Sequence, residues 1–302
     1  MKKIIIIGGT GFLGFHIANF FSKKNFKVIS ISRNTPKKSR RIKKVQYLYS
    51  DITKKKKLYS ILKPHLKASY VINASGEVDH NNFKKNYASH FIGLKNIINI
   101  FIDKNVEKFI QIGSSMEYGL KKSPQKESDK SKPLSGYGKS KLFATNYLIK
   151  ISEKKKIPAL VLRPYQVYGP NQDINRLIPF VIKQCLKEKK FPCSSGVQYR
   201  DFLYIDDFVR CIELILRKKI KLGQIFNIGS GSPIKVKNVI NLIHKKIKSG
   251  EPNFNQIRQR REEQKYIFPS LFKIKKVIKW RPKINFNEGI DKTISYYKTE
   301  KL

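Results

Sequence analysis

The 302 residues carry 64 Lys and Arg against 21 Asp and Glu, a formal charge of +43, with 40% hydrophobic and 12% aromatic side chains. That apolar content exceeds what a disordered chain carries, the length suffices for a core without staples, and no apolar run approaches the roughly 18 residues of a membrane-spanning helix. The charge taken alone would suit a polyanion, but lysine supplies most of it and is spread evenly along the chain, a surface composition rather than a binding stripe, so neither nucleic acid nor a membrane is expected as a partner.

Met1-Lys2-Lys3 followed by Ile4 to Ile7 opens like a secretion signal, yet Gly8 and Gly9 end the apolar run too early. Cys185, Cys193 and Cys211 form no C-x-x-C pair and leave an odd thiol, which fits a reducing, cytoplasmic setting. Ile4 to Ile7, Phe26 to Ile31, Val45 to Leu48, Tyr70 to Asn73, Lys108 to Ile112 and Ala159 to Leu162 read as strands, each bounded by Gly, Ser, Asn or Pro. Between them apolar spacing predicts helices over roughly 12–23, 84–103, 138–153 and 174–187, and Lys54 to Lys57 begin a solvated helix face. Strands alternating with helices predict an α/β fold, a Rossmann-type doubly wound parallel sheet. Beyond about residue 164 the prolines at 170, 179, 192, 233, 252, 269 and 282 leave only short elements, which predicts a smaller C-terminal α/β domain, with Gln224 to Ile228 returning to the main sheet.

Gly8, Gly11 and Gly14 stand at G-x-x-G-x-x-G spacing directly after a strand and at the start of a helix. Glycine lets the backbone approach a pyrophosphate, whose charge meets the amides of the first helical turn, here Phe12 and Leu13. The N-terminal part, 1–164, is therefore the expected NAD(P)-binding domain, and 165–302, apart from segments near 200–230 that return, the mainly substrate-binding one. The end of the second strand should carry an acidic residue if the adenosine ribose keeps its free 2′-hydroxyl; Ser32 stands there and Arg33 follows, which favours NADP(H), with NAD possible.

Further along lie Ser50-Asp51-Ile52, Asn73-Ala74-Ser75-Gly76, Ser114-Ser115-Met116-Glu117-Tyr118-Gly119, Tyr137-Gly138-Lys139-Ser140-Lys141, Leu162-Arg163-Pro164 and Arg200-Asp201-Phe202-Leu203-Tyr204-Ile205-Asp206-Asp207. In this order the motifs resemble the extended short-chain dehydrogenase/reductase family, which includes nucleotide-sugar epimerases, dehydratases and reductases. The resemblance implies that Asp51 and Ile52 contact the adenine, that Ala74, Ser75 and Gly76 line the nicotinamide side, and that Pro164 belongs to the cofactor contacts. Tyr137 and Lys141 are four residues apart and share one helix face. A phenol with a pKa near ~10 is a poor base at neutral pH, and a nearby ammonium together with the nicotinamide charge would lower it; Ser114 would bond the same substrate oxygen. Catalysis is thus expected from Ser114, Tyr137 and Lys141.

The family's 4,6-dehydratases carry Asp and Glu where this chain has Ser115 and Met116, and methionine exchanges no proton, so dehydration is not expected. Two reactions at carbon 4 remain. Ser32-Arg33 favours NADPH-dependent reduction of a CDP- or dTDP-linked 4-keto-6-deoxyhexose, and the stretch from Cys193 to Phe202 resembles CDP-abequose synthase-like reductases. The alternatives are an NAD-dependent nucleotide-sugar 4-epimerase and, in another class, a non-catalytic dinucleotide-binding sensor. By the same resemblance the nucleotide sugar is expected to meet Ser115, Gln166, Arg176, Arg200 and Arg261, with Arg200 and Arg261 as planar forks for the pyrophosphate and Arg176 bordering the nucleotide. His90 replaces the family's usual helix asparagine and is either an active-site donor or a packed histidine. His16, His65, His80 and His244 show no ligand spacing, and no metal is expected. The helices around 84–103 and 138–153 are long enough for the family's dimer interface, so a homodimer is expected.

Overall fold

The computed structural model describes residues 1–77, 82–258 and 263–300. Its strands are β1 (Lys2–Ile7), β2 (Phe26–Ser32), β3 (Val45–Tyr49), β4 (Tyr70–Asn73), β5 (Lys108–Ile112), β6 (Ala159–Pro164), β7 (Gln166–Tyr168), β8 (Lys190–Pro192), β9 (Tyr199–Tyr204), β10 (Gln224–Ile228), β11 (Pro233–Lys235), β12 (Glu251–Asn253) and β13 (Tyr266–Ile267). The helices are α1 (Phe12–Ser22), α2 (Lys55–Leu62), α3 (Phe83–Tyr87), α4 (Gly93–Phe101), α5 (Gly136–Lys155), α6 (Leu177–Leu186), α7 (Ile205–Arg217), α8 (Val236–Ile247), α9 (Phe272–Ile278) and α10 (Phe286–Thr299). Among the described residues no helix is long and apolar enough to cross a membrane.

Seven parallel strands form the main sheet in the order β10-β6-β5-β4-β1-β2-β3. Side chains alternate across a strand, so a parallel strand covered on both faces is apolar throughout. In β1, Ile4 and Ile6 join one core cluster while Ile5 and Ile7 join the other. The same division sends Leu160 and Leu162 of β6 one way and Ala159 and Val161 the other. The first cluster packs α1, α6, α7 and α8 and continues into the C-terminal half as far as Tyr297; the second is closed by α2, α4 and α5. A smaller sheet is built on β9, which pairs with β7, β11 and β13, and β12 pairs with β8.

The chain passes from β1 to β2 and β3 on one side, then crosses to β4 on the other. This reversal leaves a crevice at the carboxyl ends of β1 and β4, where doubly wound sheets bind their ligands. The single helix expected over 84–103 is instead α3, a π turn at Ala88–Ile92, and α4. The extra residue of a π turn re-aims side chains locally, and here His90 is buried with Nδ1 2.8 Å from Ser140 Oγ and Nε2 3.1 Å from the Glu77 carbonyl oxygen. Tertiary contact overrides the regular period at this place.

Candidate active site

At the end of β1 the backbone folds back on itself more tightly than any side chain allows. Gly8 has φ +81°, and a Cβ there would lie 2.7 Å from Ser75 Cα. A Cβ on Gly14 would lie 2.2 Å from the Gly8 carbonyl oxygen. Gly11 is the N-cap of α1, with no side chain bonded to the helix end and no acidic residue in its first turn, so the amides there face the crevice uncompensated. Phe12 and Leu13 lend their backbone to this turn while their side chains pack on the core.

A cavity of about 400 Å³ opens from the glycine turn. Its lining includes Gly8 and Gly11 of the turn, Ser32 and Arg33 at the end of β2, Asp51 and Ile52 after β3, and Ala74, Ser75, Gly76 and Glu77 after β4. The loops are held in shape by their own polar groups. Asp51 Oδ1 accepts from Thr53 N and Thr53 Oγ1, both at 2.8 Å. Asn73 Oδ1 accepts from Ser75 N at 3.2 Å and Ser75 Oγ at 2.6 Å, and its amide donates to Gln111 Oε1 at 2.8 Å. Ser32 Oγ accepts from Thr10 N at 3.2 Å, so this hydroxyl steadies the glycine turn. Arg33 NH2 lies 3.4 Å from Glu77 Oε2.

Beyond Gly76 stand the three residues singled out for catalysis. Ser114 ends the segment after β5 and caps a short 3-10 turn, its Oγ accepting from Met116 N at 3.1 Å. Tyr137 lies in the first turn of α5, which starts where Ser135 accepts from Gly138 N at 3.1 Å, and its phenol lies close enough to Ser114 for the serine to lower its pKa. Lys141, one turn further, is buried and donates from Nζ to the Ile112 carbonyl at 3.0 Å; the ammonium lies 5.9 Å from the centre of the Tyr137 ring. The His90 ring meets Tyr137 edge-on with centroids 5.0 Å apart. A Cβ on Gly76 would lie 2.7 Å from His90 Nε2 and 3.3 Å from Lys141 Nζ, so the cavity wall and the Tyr-Lys pair touch through a glycine.

The electrostatics differ from the expectation. Tyr137 keeps part of its surface open, but burial of the phenol pushes its pKa up; Ser114 and Arg176 oppose this, and Glu117 adds to it. Burial also brings Lys141 down from 10.5 to about 8, with the Glu117 carboxylate resisting. The ammonium keeps its charge while donating to a carbonyl, and the phenol, raised by burial, stays protonated at neutral pH in the protein by itself. Lowering it falls to the positive charge that a bound nicotinamide would add.

Sequence reasoning gave Glu117 and Arg163 no role, though both lie inside quoted motifs. Glu117 is fully buried; its Oε1 accepts from Ser114 N at 2.8 Å and its Oε2 takes Arg163 Nε at 2.9 Å and NH2 at 2.8 Å. Ser114-x-x-Glu117 is a capping box, a pattern readable in advance. The stacked Tyr118 ring, 4.5 Å from the Arg163 guanidinium carbon, donates from its hydroxyl to Asn227 Oδ1 at 2.7 Å, linking the Ser114 turn to β10.

A second cavity, of about 330 Å³, includes Gln166, Phe202 and Arg200 in its lining. Arg200 is paired with Glu263 at 2.7 Å and donates to the Tyr199 and Gln264 carbonyls. Arg176 is exposed at the start of α6, near enough for its charge to act on Tyr137. Ser115 opens the 3-10 turn and Pro164 ends β6; neither lines the two cavities. Arg261 and His80 lie outside the described residues.

Residues 4–229 match the NAD dependent epimerase/dehydratase family. The chain belongs to this family. It is therefore an enzyme of the extended short-chain dehydrogenase/reductase type. It is 27% identical over 315 residues to the uncharacterized UDP-glucose epimerase YtcB of Bacillus subtilis, covering 97% of each chain. To the dTDP-D-glucose 4,6-dehydratase of Homo sapiens it is 28% identical over 320 residues, covering 98% of this chain and 90% of the relative. The crystal structure of UDP-glucuronic acid 4-epimerase from Bacillus cereus, in complex with UDP-glucuronic acid and NAD, superposes with a TM-score of 0.89 at 25% identity, covering 98% of this chain and 99% of that one. In this epimerase/dehydratase setting the glycine turn, the open amides of α1 and the cavity walls fit a dinucleotide.

Proposed function

We propose that this chain is an NAD-dependent nucleotide-sugar 4-epimerase acting on a UDP-linked hexose or hexuronate. The observation that carries the reading is the juxtaposition of Ser114 and Tyr137 beyond the carboxyl end of β5, close enough for the serine to act on the phenol, with Lys141 one helical turn behind and no acid or base at positions 115 and 116. Such a pair handles one hydroxyl oxygen at a time, as exchange between an alcohol and a ketone requires, while water elimination needs a further proton carrier. The Bacillus cereus 4-epimerase in complex with UDP-glucuronic acid and NAD, and the relative named a UDP-glucose epimerase, support the same reading, and reduction by NADPH, which Ser32-Arg33 favoured, finds no such support.

The cavity walls from Gly8 to Gly76 would hold the dinucleotide. NAD bound there supplies a hydride acceptor that becomes the donor for the return step. Tyr137 takes the proton of the 4-hydroxyl and gives it back to the same oxygen. Ser114 donates to that oxygen and fixes its place. Lys141 holds positive charge beneath the phenol. Arg200, released from Glu263, and Gln166 take the diphosphate, and the C-terminal part, 165–302, orients the sugar. A homodimer is part of this reading, since Phe83 of α3 and Phe143 of α5 are exposed and meet the rings of Tyr87 and of Phe91 in the π turn.

The deciding experiment incubates the protein with NAD and either UDP-glucose or UDP-glucuronic acid and follows the sugar by proton NMR. The 4-epimer should appear without net cofactor consumption. Oxidation of NADPH by a 4-keto-6-deoxysugar, with no epimer from either UDP sugar, would replace this reading by reduction.

A further inference from the structure

The end of β2 lacks the acidic residue that dinucleotide sites use to meet a free ribose 2′-hydroxyl, and an arginine is suited to a 2′-phosphate. Arg33 taken alone thus argues for NADP. Its guanidinium, however, lies 3.4 Å from the Glu77 carboxylate. Glu77 follows β4, whereas Arg33 follows β2, and β1 runs between those strands. Both residues line the cavity that opens from Gly8. The ion pair consequently joins the two strand ends on either side of the glycine turn. Of the two side chains that of Glu77 is the less exposed, 19% against 57% for Arg33, and the Glu77 backbone carbonyl oxygen is 3.1 Å from His90 Nε2.

We propose that Glu77 sets a preference for NAD over NADP by occupying the guanidinium of Arg33. This rests on reading the cavity as the dinucleotide site. A 2′-phosphate that reached Arg33 would have to displace the carboxylate and leave it beside a second negative group, whereas a neutral 2′-hydroxyl requires neither. The negative charge missing from position 32 is thereby supplied from the far side of β1. Lys85 is the other cation among the described residues lining the cavity; it sits on α3 and is not part of this pair.

The test measures dissociation constants of NAD and NADP by isothermal titration calorimetry on the full chain, on Glu77→Gln, on Arg33→Ala and on the double variant. The pair lies at the protein surface, and thermal melts confirm that each variant is folded. The parent should bind NAD more tightly. Glu77→Gln should gain roughly two- to fivefold in NADP affinity, the worth of one solvent-exposed ion-pair contact set free, with NAD affinity unchanged. The gain should vanish when Arg33→Ala is added, because the freed guanidinium is its source. Unchanged NADP affinity in Glu77→Gln, a gain that survives without Arg33, or a parent that already prefers NADP would each overturn the role of Glu77 and leave the dinucleotide site standing. A parent that binds neither dinucleotide would overturn the site and the role together.

Discussion

Replacing Lys141 by methionine should remove turnover and, at neutral pH, leave the fold as stable or more so. The ammonium is buried, and burial takes its pKa from 10.5 to about 8. At 1.36 kcal/mol per pKa unit, keeping it charged in the folded state costs roughly 3 kcal/mol at pH 7. Methionine of similar length fills the space without that cost, but it leaves the Ile112 carbonyl without its 3.0 Å donor, a loss of about 1–3 kcal/mol. The two effects nearly offset at pH 7. They separate with pH. Below about 8 both folded and unfolded chains hold the proton and the cost is complete; between about 8 and 10.5 the unfolded chain binds a proton that the folded one has released, so the stability contributed by Lys141 rises with pH. Urea unfolding of parent and variant at pH 7 and pH 10 should show the parent gaining roughly 2–3 kcal/mol relative to the variant. A difference that stays level over this range would mean that the ammonium is hydrated, and the account of Lys141 would fail.

Glu117→Gln should cost about 3–5 kcal/mol in the same unfolding assay, since it strands a buried guanidinium; a loss below about 1 kcal/mol would show the Arg163 pair to be dispensable. Tyr137→Phe should slow formation of the 4-epimer by roughly a hundredfold or more with an unchanged melting temperature, and retained turnover would remove the phenol from the chemistry. Gly14→Ala should abolish calorimetric NAD binding, because its Cβ would lie 2.2 Å from the Gly8 carbonyl oxygen; undiminished binding would show that the cofactor seats elsewhere.

The strands were legible because a β-branched run buried on both faces, such as Ile4 to Ile7, has few other places to go. The glycine turn was equally plain, since its spacing encodes a close approach of backbones. Local pattern was silent on whatever depends on a distant partner. The π turn at Ala88–Ile92 answers to the His90 contacts with Ser140 and Glu77. Arg33 read as a cation open to a 2′-phosphate because its carboxylate partner stands 44 residues away. The i to i+4 spacing of Tyr137 and Lys141 placed them on one face correctly but carried no information on burial, which governs both of their pKa values.

The return of β10 to the edge of the main sheet beside β6 ties residues 224–228 to strands that all lie before residue 165. A fragment severed after residue 164 would bare the amides and carbonyls that β6 shares with Gln224 to Ile228, and would strip α7 from the apolar layer that includes Ile4 and Leu162. Such a fragment would present a sticky open flank and invite self-association. A fragment meant to keep the main sheet whole therefore has to carry the strand at 224–228 along with it.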